Sequence, residues 1–344
     1  MHPSRGRFAP LVPLSLVSAF LLFVATFLET FHQYSSAQAG SSEKGTWSTH
    51  SPALTERTEV AATALAGKIY VMGGFSKLSF SNIMRLTVSK AVEEYDPSTD
   101  KWATKASLPT GLHHAGAGAV GERLYVIGGF TASVFSMWQP VASVFMYDPA
   151  KDAWSERSPM PTPRGALTVA VHSGKLYAIG GKGEDGNSAA VEVYDPKQNR
   201  WEARAPLPTP RDHLAAASVG QRIYTFGGRV NLNYGENLGT VEAYNPTTDK
   251  WKQGADLPTP RSGIAAGVVG GIVYVVGGES PEGTFATNEA YDPKKDQWRT
   301  MAPMPTARHG LGAVSVDRRL YVLSGGPTPG GSYSNVTEVF LPPE

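Results

Sequence analysis

The chain has 344 residues, 41% of them hydrophobic, and it contains 37 glycines and 26 prolines. This composition is typical of a large core built from short strands and many turns. The 31 basic and 30 acidic residues leave a net charge of +1, which does not favour nucleic-acid binding. The sequence has no cysteine, which excludes disulfides, thiolate nucleophiles and thiolate metal ligands.

The first 39 residues predict export from the cytoplasm. Arg5 and Arg7 precede an 18-residue apolar stretch, 11–28, and a small-residue Ala-Gln-Ala pattern ends at residue 39. This order is typical of a signal peptide, and 18 apolar residues are also about the minimum for a membrane-spanning helix. We therefore expect residues 1–39 to be a signal peptide or an uncleaved N-terminal anchor, which would be the chain's one contact with a membrane. The folded part would be periplasmic or secreted, or else membrane-anchored.

Residues 40–46 are predicted to be a short linker, and residues 47–344 contain a repeat. An apolar strand that ends at or next to a Gly-Gly pair occurs six times. Each copy is marked by one tyrosine: Tyr70, Tyr125, Tyr177, Tyr224, Tyr274 and Tyr321. Successive tyrosines are 55, 52, 47, 50 and 47 residues apart. A period of this size is typical of a propeller or a solenoid rather than of separate domains.

Each repeat shows four strand signals. The first strand is rich in Ala and Gly, as expected where innermost strands converge on a central channel. The second ends at the glycines, the third leads into an Asp-Pro turn, and the fourth carries a Trp. Trp47 precedes the first tyrosine, and no Trp follows Tyr321. We therefore expect the N-terminal strand to complete the last repeat and close the ring, which removes two exposed sheet edges.

The Gly-Gly pairs, the Tyr-Asp-Pro turns and the Trp at these offsets resemble kelch repeats over about residues 46–342. The resemblance implies an all-β fold, a six-bladed kelch β-propeller with four antiparallel strands in each blade. Connections from second to third strands and from fourth to first strands would share one face, which we call the loop face. Most kelch propellers bind a protein or peptide there, so we expect a monomeric protein- or ligand-binding module.

Arginines recur in the repeat at a constant offset, 13 residues before the tyrosine. They are Arg57, Arg164, Arg211, Arg261 and Arg308. Blade 2 has Leu112 at this position. A ring of guanidinium groups at the channel mouth would suit an acidic carbohydrate or an acidic peptide. Because the arginines repeat, they could instead be structural, each pairing with a backbone carbonyl or a neighbouring blade.

Residues that break the repeat are further candidates for ligand binding. His113, His114 and His213 lie at the starts of first strands, Arg229 follows a Gly-Gly pair, and Trp138 is the one Trp of the repeats outside the fourth-strand position. No metal site is expected, because the blades that carry the histidines are not adjacent and neighbouring strand residues point in opposite directions. No cofactor is expected, and no catalytic residue is assigned.

The resemblance also leaves an enzyme open as an alternative. The chemistry of galactose oxidase is excluded, because its copper-radical cofactor needs a cysteine joined to a tyrosine. Exported bacterial sialic-acid mutarotases are six-bladed kelch propellers that this chain is similar to in size, export signal and arginine supply. The alternative is therefore a sugar mutarotase or epimerase with an Arg-rich pocket for an acidic sugar at the channel mouth.

Overall fold

The computed structural model describes residues 43–76, 87–133 and 136–343. Residues Gly45–Pro342 form one compact unit. Within the described ranges this unit contains six four-stranded antiparallel sheets, so the predicted all-β, six-bladed architecture is confirmed. The export segment predicted at 1–39 lies outside the described residues. No helix in the described part of the chain is long and apolar enough to cross a membrane.

Each sheet is one blade, and the first strand of each blade is the innermost. The strands of blades 1 and 2 are Ala61–Leu65, Lys68–Met72, Val92–Asp96 and Lys101–Lys105, then Gly116–Val120, Arg123–Ile127, Val144–Asp148 and Ala153–Glu156. Those of blades 3 and 4 are Thr168–His172, Lys175–Ile179, Val191–Asp195 and Arg200–Ala203, then Ala215–Val219, Arg222–Phe226, Val241–Asn245 and Lys250–Gln253. Those of blades 5 and 6 are Ala265–Val269, Ile272–Val276, Asn288–Asp292 and Gln297–Thr300, then Gly312–Val316, Arg319–Leu323, Thr337–Leu341 and Thr46–His50.

Short strand pairs extend the loops between second and third strands. They are Phe75–Ser76 with Thr87–Val88, Phe130–Thr131 with Gln139–Pro140, Lys182–Gly183 with Gly186–Asn187, Arg229–Val230 with Asn233–Asn237, and Glu279–Ser280 with Gly283–Thr284. Arg57–Thr58 pairs with Phe75–Ser76.

The ring closes as the repeat predicts. Thr46–His50 pairs antiparallel with Thr337–Leu341, and Trp47 lies opposite Phe340. The N-terminal strand is therefore the outermost strand of blade 6, and the last sheet has its full complement of four strands.

The hydrophobic core lies between the blades. One cluster joins Tyr70 and Met72 of blade 1 to Leu124 and Val126 of blade 2. The small residues of the innermost strands serve the same interfaces: a Cβ atom on Gly118 would come within 2.7 Å of Leu176 in blade 3. Small side chains are thus required by packing between neighbouring blades as well as by convergence on the channel.

The tryptophans fasten each blade to the one before it. Each of the six fourth-strand indoles donates its N–H to a backbone carbonyl of the preceding blade, at 2.7–3.0 Å: Trp47 to Ala302, Trp102 to Ser51, Trp154 to Ala106, Trp201 to Ser158, Trp251 to Ala205 and Trp298 to Ala255. The Trp47 bond spans 255 residues and completes the circle.

The recurrent arginines are fully buried inside the blades, and each pairs with the glutamate of its own third strand. The pairs are Arg57–Glu93, Arg164–Glu192, Arg211–Glu242, Arg261–Glu289 and Arg308–Glu338, at 2.5–3.0 Å. In blade 2 the same positions hold Leu112 and Phe145, which are both buried in one apolar cluster. Blade 2 therefore replaces the ion pair by an apolar contact of its own.

Trp47→Ala tests ring closure. The change removes the indole bond to Ala302 and the contact with Phe340, whose ring centroid lies 5.0 Å away. We expect it to lower the free energy of unfolding by roughly 2–3 kcal/mol, somewhat less than for a fully buried Trp. Urea denaturation of the full chain measures this, with Trp201→Ala as the matched interior change. A silent Trp47→Ala beside a destabilising Trp201→Ala would contradict closure.

Glu192→Ala tests the buried pairs. It leaves the Arg164 guanidinium buried without its carboxylate, and we expect a loss of about 3–5 kcal/mol in the free energy of unfolding. Arg164→Leu combined with Glu192→Phe copies the residues of blade 2 and should recover most of that loss, since an apolar pair has no charge to desolvate. Urea denaturation compares the two. A double variant no more stable than Glu192→Ala would show that blade 3 cannot accept the apolar pair.

Candidate functional site

Six turn residues, one from each blade, form a closed backbone ring at the centre of the loop face. They are Glu59, His114, Ala166, His213, Gly263 and Gly310, and each N–H donates to the carbonyl of the residue from the preceding blade at 2.7–3.1 Å. All six have φ between 51° and 65°. Only glycine adopts this left-handed conformation without a cost of roughly 1 kcal/mol or more. The polar residues in blades 1, 2 and 4 therefore hold a strained position, which directs attention to their side chains.

A cavity of about 320 Å³ opens over the ring. Its polar lining consists of Glu59, His114, Arg229, Glu279 and His309, and its apolar lining of Phe75, Met137, Trp138, Leu232, Tyr234 and Tyr333. A smaller cavity of about 90 Å³ is lined by the residues that directly follow the ring residues in the chain. All six of these residues are apolar: Val60, Ala115, Leu167, Leu214, Ile264 and Leu311. We call the polar residues that line the larger cavity, together with the side chains hydrogen-bonded to them, the floor. The apolar residues of the smaller cavity directly follow the ring residues, some of which belong to this floor.

One side of the floor is a hydrogen-bonded chain across blades 4 and 5. His213 Nδ1 lies 2.6 Å from Asp212 Oδ1. Arg229 donates through Nη2 to His213 Nε2 at 2.8 Å and through Nη1 to Glu279 Oε1 at 2.6 Å. Because the guanidinium can only donate, His213 Nε2 accepts and Nδ1 donates to Asp212. Both ring nitrogens of His213 are thus engaged in hydrogen bonds.

The other side of the floor joins blades 1, 2 and 6. His113 donates through Nε2 to the Met137 carbonyl at 2.7 Å, so its Nδ1 accepts from His114 Nδ1 at 2.6 Å. His114 Nε2 then faces Glu59 Oε2 at 3.1 Å. Glu59 Oε1 lies 3.5 Å from His309 Nε2. Glu59 is therefore placed between two imidazole rings.

Burial governs the protonation of this cluster. Desolvation lowers the pKa of His113 to about 4 and holds the pKa of His114 well below its usual range, so both rings are neutral at pH 7. Burial alone would raise the pKa of Asp212, but the hydrogen bond from His213, the Leu232 N–H and the Arg229 guanidinium together lower it. The pKa of Glu279 is also lowered, against its burial, by neighbouring groups that include the Arg229 guanidinium and the Gly330 N–H.

The structure divides the ten candidate residues from the sequence into two groups. His113, His114, His213, Arg229 and Trp138 meet at the centre of the loop face. The second group stays inside the blades in the ion pairs described above and lines none of the cavity: Arg57, Arg164, Arg211, Arg261 and Arg308. A role in binding for this second group stays a prediction.

Blades that are not adjacent in the ring still bring their side chains together. The rings of His114 in blade 2 and His213 in blade 4 have centroids 4.7 Å apart. As members of strands, these residues were expected to point in opposite directions and to stay apart. They lie instead in left-handed turns next to the axis, where all six blades are near neighbours.

Three residues of the floor were not among the sequence candidates: Glu59, Glu279 and His309. Their signal is a departure from the repeat. Glu59 occupies the ring position that is glycine in blades 5 and 6, and Glu279 directly follows a Gly-Gly pair. A search for polar residues at positions that are glycine or alanine in other copies would have found Glu59.

Comparisons with known proteins agree with this architecture. The family model described as "KLHDC2/KLHL20/DRC7 Kelch-repeats domain" matches residues 119–326, and the model described as "Kelch motif" matches residues 56–109. A solved structure, that of YjhT, superposes with a TM-score of 0.70 at 17% sequence identity and covers 83% of this chain and 95% of that chain. At this identity the likeness shows the fold alone.

Curated relatives match over part of their length. Kelch-like protein 35 from Mus musculus is 28% identical over 145 residues, covering 42% of this chain and 22% of that protein. Beta-scruin from Limulus polyphemus is 26% identical over 139 residues, covering 40% and 15%. Kelch repeat and BTB domain-containing protein 12 from Danio rerio is 30% identical over 191 residues, covering 52% and 31%. The match thus spans less than a third of each relative. With more than half of its residues matched by one kelch family model and its blades built as described, the chain belongs to the kelch-repeat family.

Proposed function

We propose that this kelch propeller is a binding module that holds its ligand in the central cavity of the loop face. The observation that carries the proposal is the cavity of about 320 Å³, in which an aromatic rim lies over a buried polar floor. Mostly apolar walls with a few convergent polar groups are typical of ligand sites. The rigid ring of blades holds this arrangement in place before any ligand arrives.

The rim supplies apolar contact area. Trp138 and Tyr234, from the loops of blades 2 and 4, are large aromatic residues that remain 39% and 37% exposed. Trp138 packs edge-on against Phe75, with ring centroids 6.2 Å apart, so its orientation is set without a ligand. Aromatic rings held in this way suit the apolar face of a sugar or a peptide side chain.

The floor sets the charge of the ligand. Glu59 and Glu279 supply two carboxyl groups to the cavity, whereas Arg229 supplies one guanidinium that already contacts Glu279. Carboxylates in excess within a low-dielectric site repel an acidic group. The cavity by itself therefore favours a neutral or basic group, such as a neutral sugar or a side chain of a partner protein, and an acidic carbohydrate would need a compensating cation.

A second candidate function is a sugar mutarotase, the activity suggested by the resemblance to sialic-acid mutarotases. The observation that favours it is that Glu59, Glu279 and His309 face one cavity, where they could donate and accept protons at a sugar ring. The same floor would then act on its ligand rather than only hold it.

A thermal-shift screen of the full chain tests the binding proposal. Neutral and acidic monosaccharides and basic and acidic peptides are the probes. A ligand at 100 times its Kd should add about 2.7 kcal/mol to the free energy of unfolding. We expect Trp138→Ala and Tyr234→Ala to weaken the binding of any hit by at least about tenfold, as for aromatic anchors at binding sites.

The matched control is Leu54→Ala, which removes an exposed apolar side chain that does not line the cavity. Equal binding by wild type, Trp138→Ala and Tyr234→Ala would contradict the proposal. The sugars are also followed by NMR for exchange of their anomers. Acceleration by the wild type that is lost in Glu59→Gln would support the mutarotase.

We further propose that the protein is exported, on the strength of the signal-like pattern in residues 1–39. Intact mass spectrometry of protein recovered from outside the cytoplasm should show a chain that begins at Gly40. A mass that retains residues 1–39 in a membrane fraction would indicate an anchor. Full-length protein confined to the cytoplasm would contradict export.

A further inference from the structure

We propose that the floor of the cavity binds one divalent transition-metal ion through Glu59, Glu279 and His309. The inference concerns the same cavity as the proposed function, but it does not require the proposed ligand. The ligand atoms of these three residues lie within 4.8 Å of one another. They come from blades 1, 5 and 6.

The spacing of the three side chains suits a metal better than a hydrogen bond. His309 Nε2 lies 3.5 Å from Glu59 Oε1 and 3.6 Å from Glu279 Oε2. Both distances exceed the usual 2.7–3.2 Å for N–H···O hydrogen bonds. They are close to the ligand–ligand separations of about 3.3–3.5 Å that follow from metal–ligand bonds of about 2.0–2.2 Å in a tetrahedron.

The tautomer of His309 also points to a cation. Its Nδ1 lies 3.1 Å from the Gly326 carbonyl, which can only accept, so Nδ1 donates. In the neutral ring the lone pair of Nε2 is then directed between the two carboxylates. A backbone carbonyl that fixes the second nitrogen in this way is the usual support of a metal-binding histidine.

A neighbouring set of side chains is less suitable. Glu59, His114 and His213 also lie within 4.8 Å of one another. However, His213 Nε2 accepts the Arg229 hydrogen bond, and His213 Nδ1 donates to Asp212. His213 therefore has no free lone pair to offer an ion.

Both carboxylates are held in place from behind. Glu279 is fixed by Arg229 on Oε1 and by the Gly330 N–H on Oε2, at 2.6 and 3.0 Å. Glu59 is placed by the backbone ring, in which its N–H donates to the Gly310 carbonyl and its own carbonyl accepts from the His114 N–H. The three proposed ligands are nearly buried, with side chains 11%, 2% and 1% exposed for Glu59, Glu279 and His309.

Charge balance gives the ion a reason to bind. Two carboxyl groups line the cavity, those of Glu59 and Glu279, against one guanidinium, that of Arg229, which already pairs with Glu279. A divalent cation would offset this excess. Two oxygens and one imidazole nitrogen suit Zn²⁺ or Mn²⁺ better than Mg²⁺ or Ca²⁺, which prefer oxygen alone. Coordination positions facing the cavity would remain for a ligand oxygen, including that of an acidic carbohydrate.

The test uses the full chain, stripped with EDTA and then titrated with Zn²⁺ or Mn²⁺ alone. Calorimetry should show one ion per chain. His309→Gln and Glu279→Gln should each weaken binding by at least about 100-fold, because even residues that only support metal ligands cost 10–100-fold. His172→Gln is the matched control: His172 bonds Ser218 and lines none of the cavity, so its loss should leave affinity unchanged.

Mn²⁺ binding by the wild type is also followed by EPR, which needs no variant and so covers the case of a variant that fails to fold. Absence of binding for both ions would overturn the proposal. Binding that is lost in His213→Gln but kept in His309→Gln would overturn the assignment of ligands. Repeating the sugar and peptide screen with and without EDTA separates the ligand-binding proposal from the metal proposal. A ligand that binds equally well in both conditions supports ligand binding in the cavity without a metal ion.

Discussion

Closure of the ring is the constraint on which the rest of the structure depends. The apolar clusters lie between neighbouring blades, so a blade buries its faces only when both neighbours are present. The indole hydrogen bonds link each blade to the preceding one, and the Trp47 bond to Ala302 completes the circle. The backbone ring at the centre repeats the same closed pattern. A solenoid can lose a terminal repeat and keep the others, but this propeller has no terminal repeat to lose.

Closure also explains where the chemistry is concentrated. Six chain segments must turn next to the axis, and each does so in the left-handed conformation. Glycine accepts this turn in blades 5 and 6, whereas Glu59, His114 and His213 accept it at a cost. Because the axis is narrow, their side chains meet across the ring although they are far apart in the sequence. The residues with a strained backbone therefore lie beside the cavity, next to the buried carboxylates and the neutral imidazoles.

Charges in this molecule have two distinct roles. In each Arg–Glu pair inside a blade, the one positive charge is balanced by the one negative charge. Blade 2 has the apolar residues Leu112 and Phe145 in place of such a pair. Such pairs organise a blade and leave no charge for a ligand. The floor of the cavity is different, because Arg229 contacts Asp212, His213 and Glu279 at once and cannot balance every carboxyl group. This imbalance disfavours an acidic ligand and underlies the proposed metal ion.

The sequence by itself determined the blades, because the local requirements of a blade recur in every copy. The spacing of Tyr and Trp predicted the number of blades and closure by the Trp47 strand, and the strand signals within each copy predicted four strands in each blade. Five of the ten residues that the sequence predicted for ligand binding, among them His114 and Arg229, lie at the site, and these five were recognised because they depart from the repeat. The tertiary structure decided which side chains meet, and it placed Glu59, Glu279 and His309 around one cavity while burying Arg211 and its equivalents. Sequence periodicity describes contacts within a blade and between adjacent blades, whereas contacts across the axis exist only once the ring has closed.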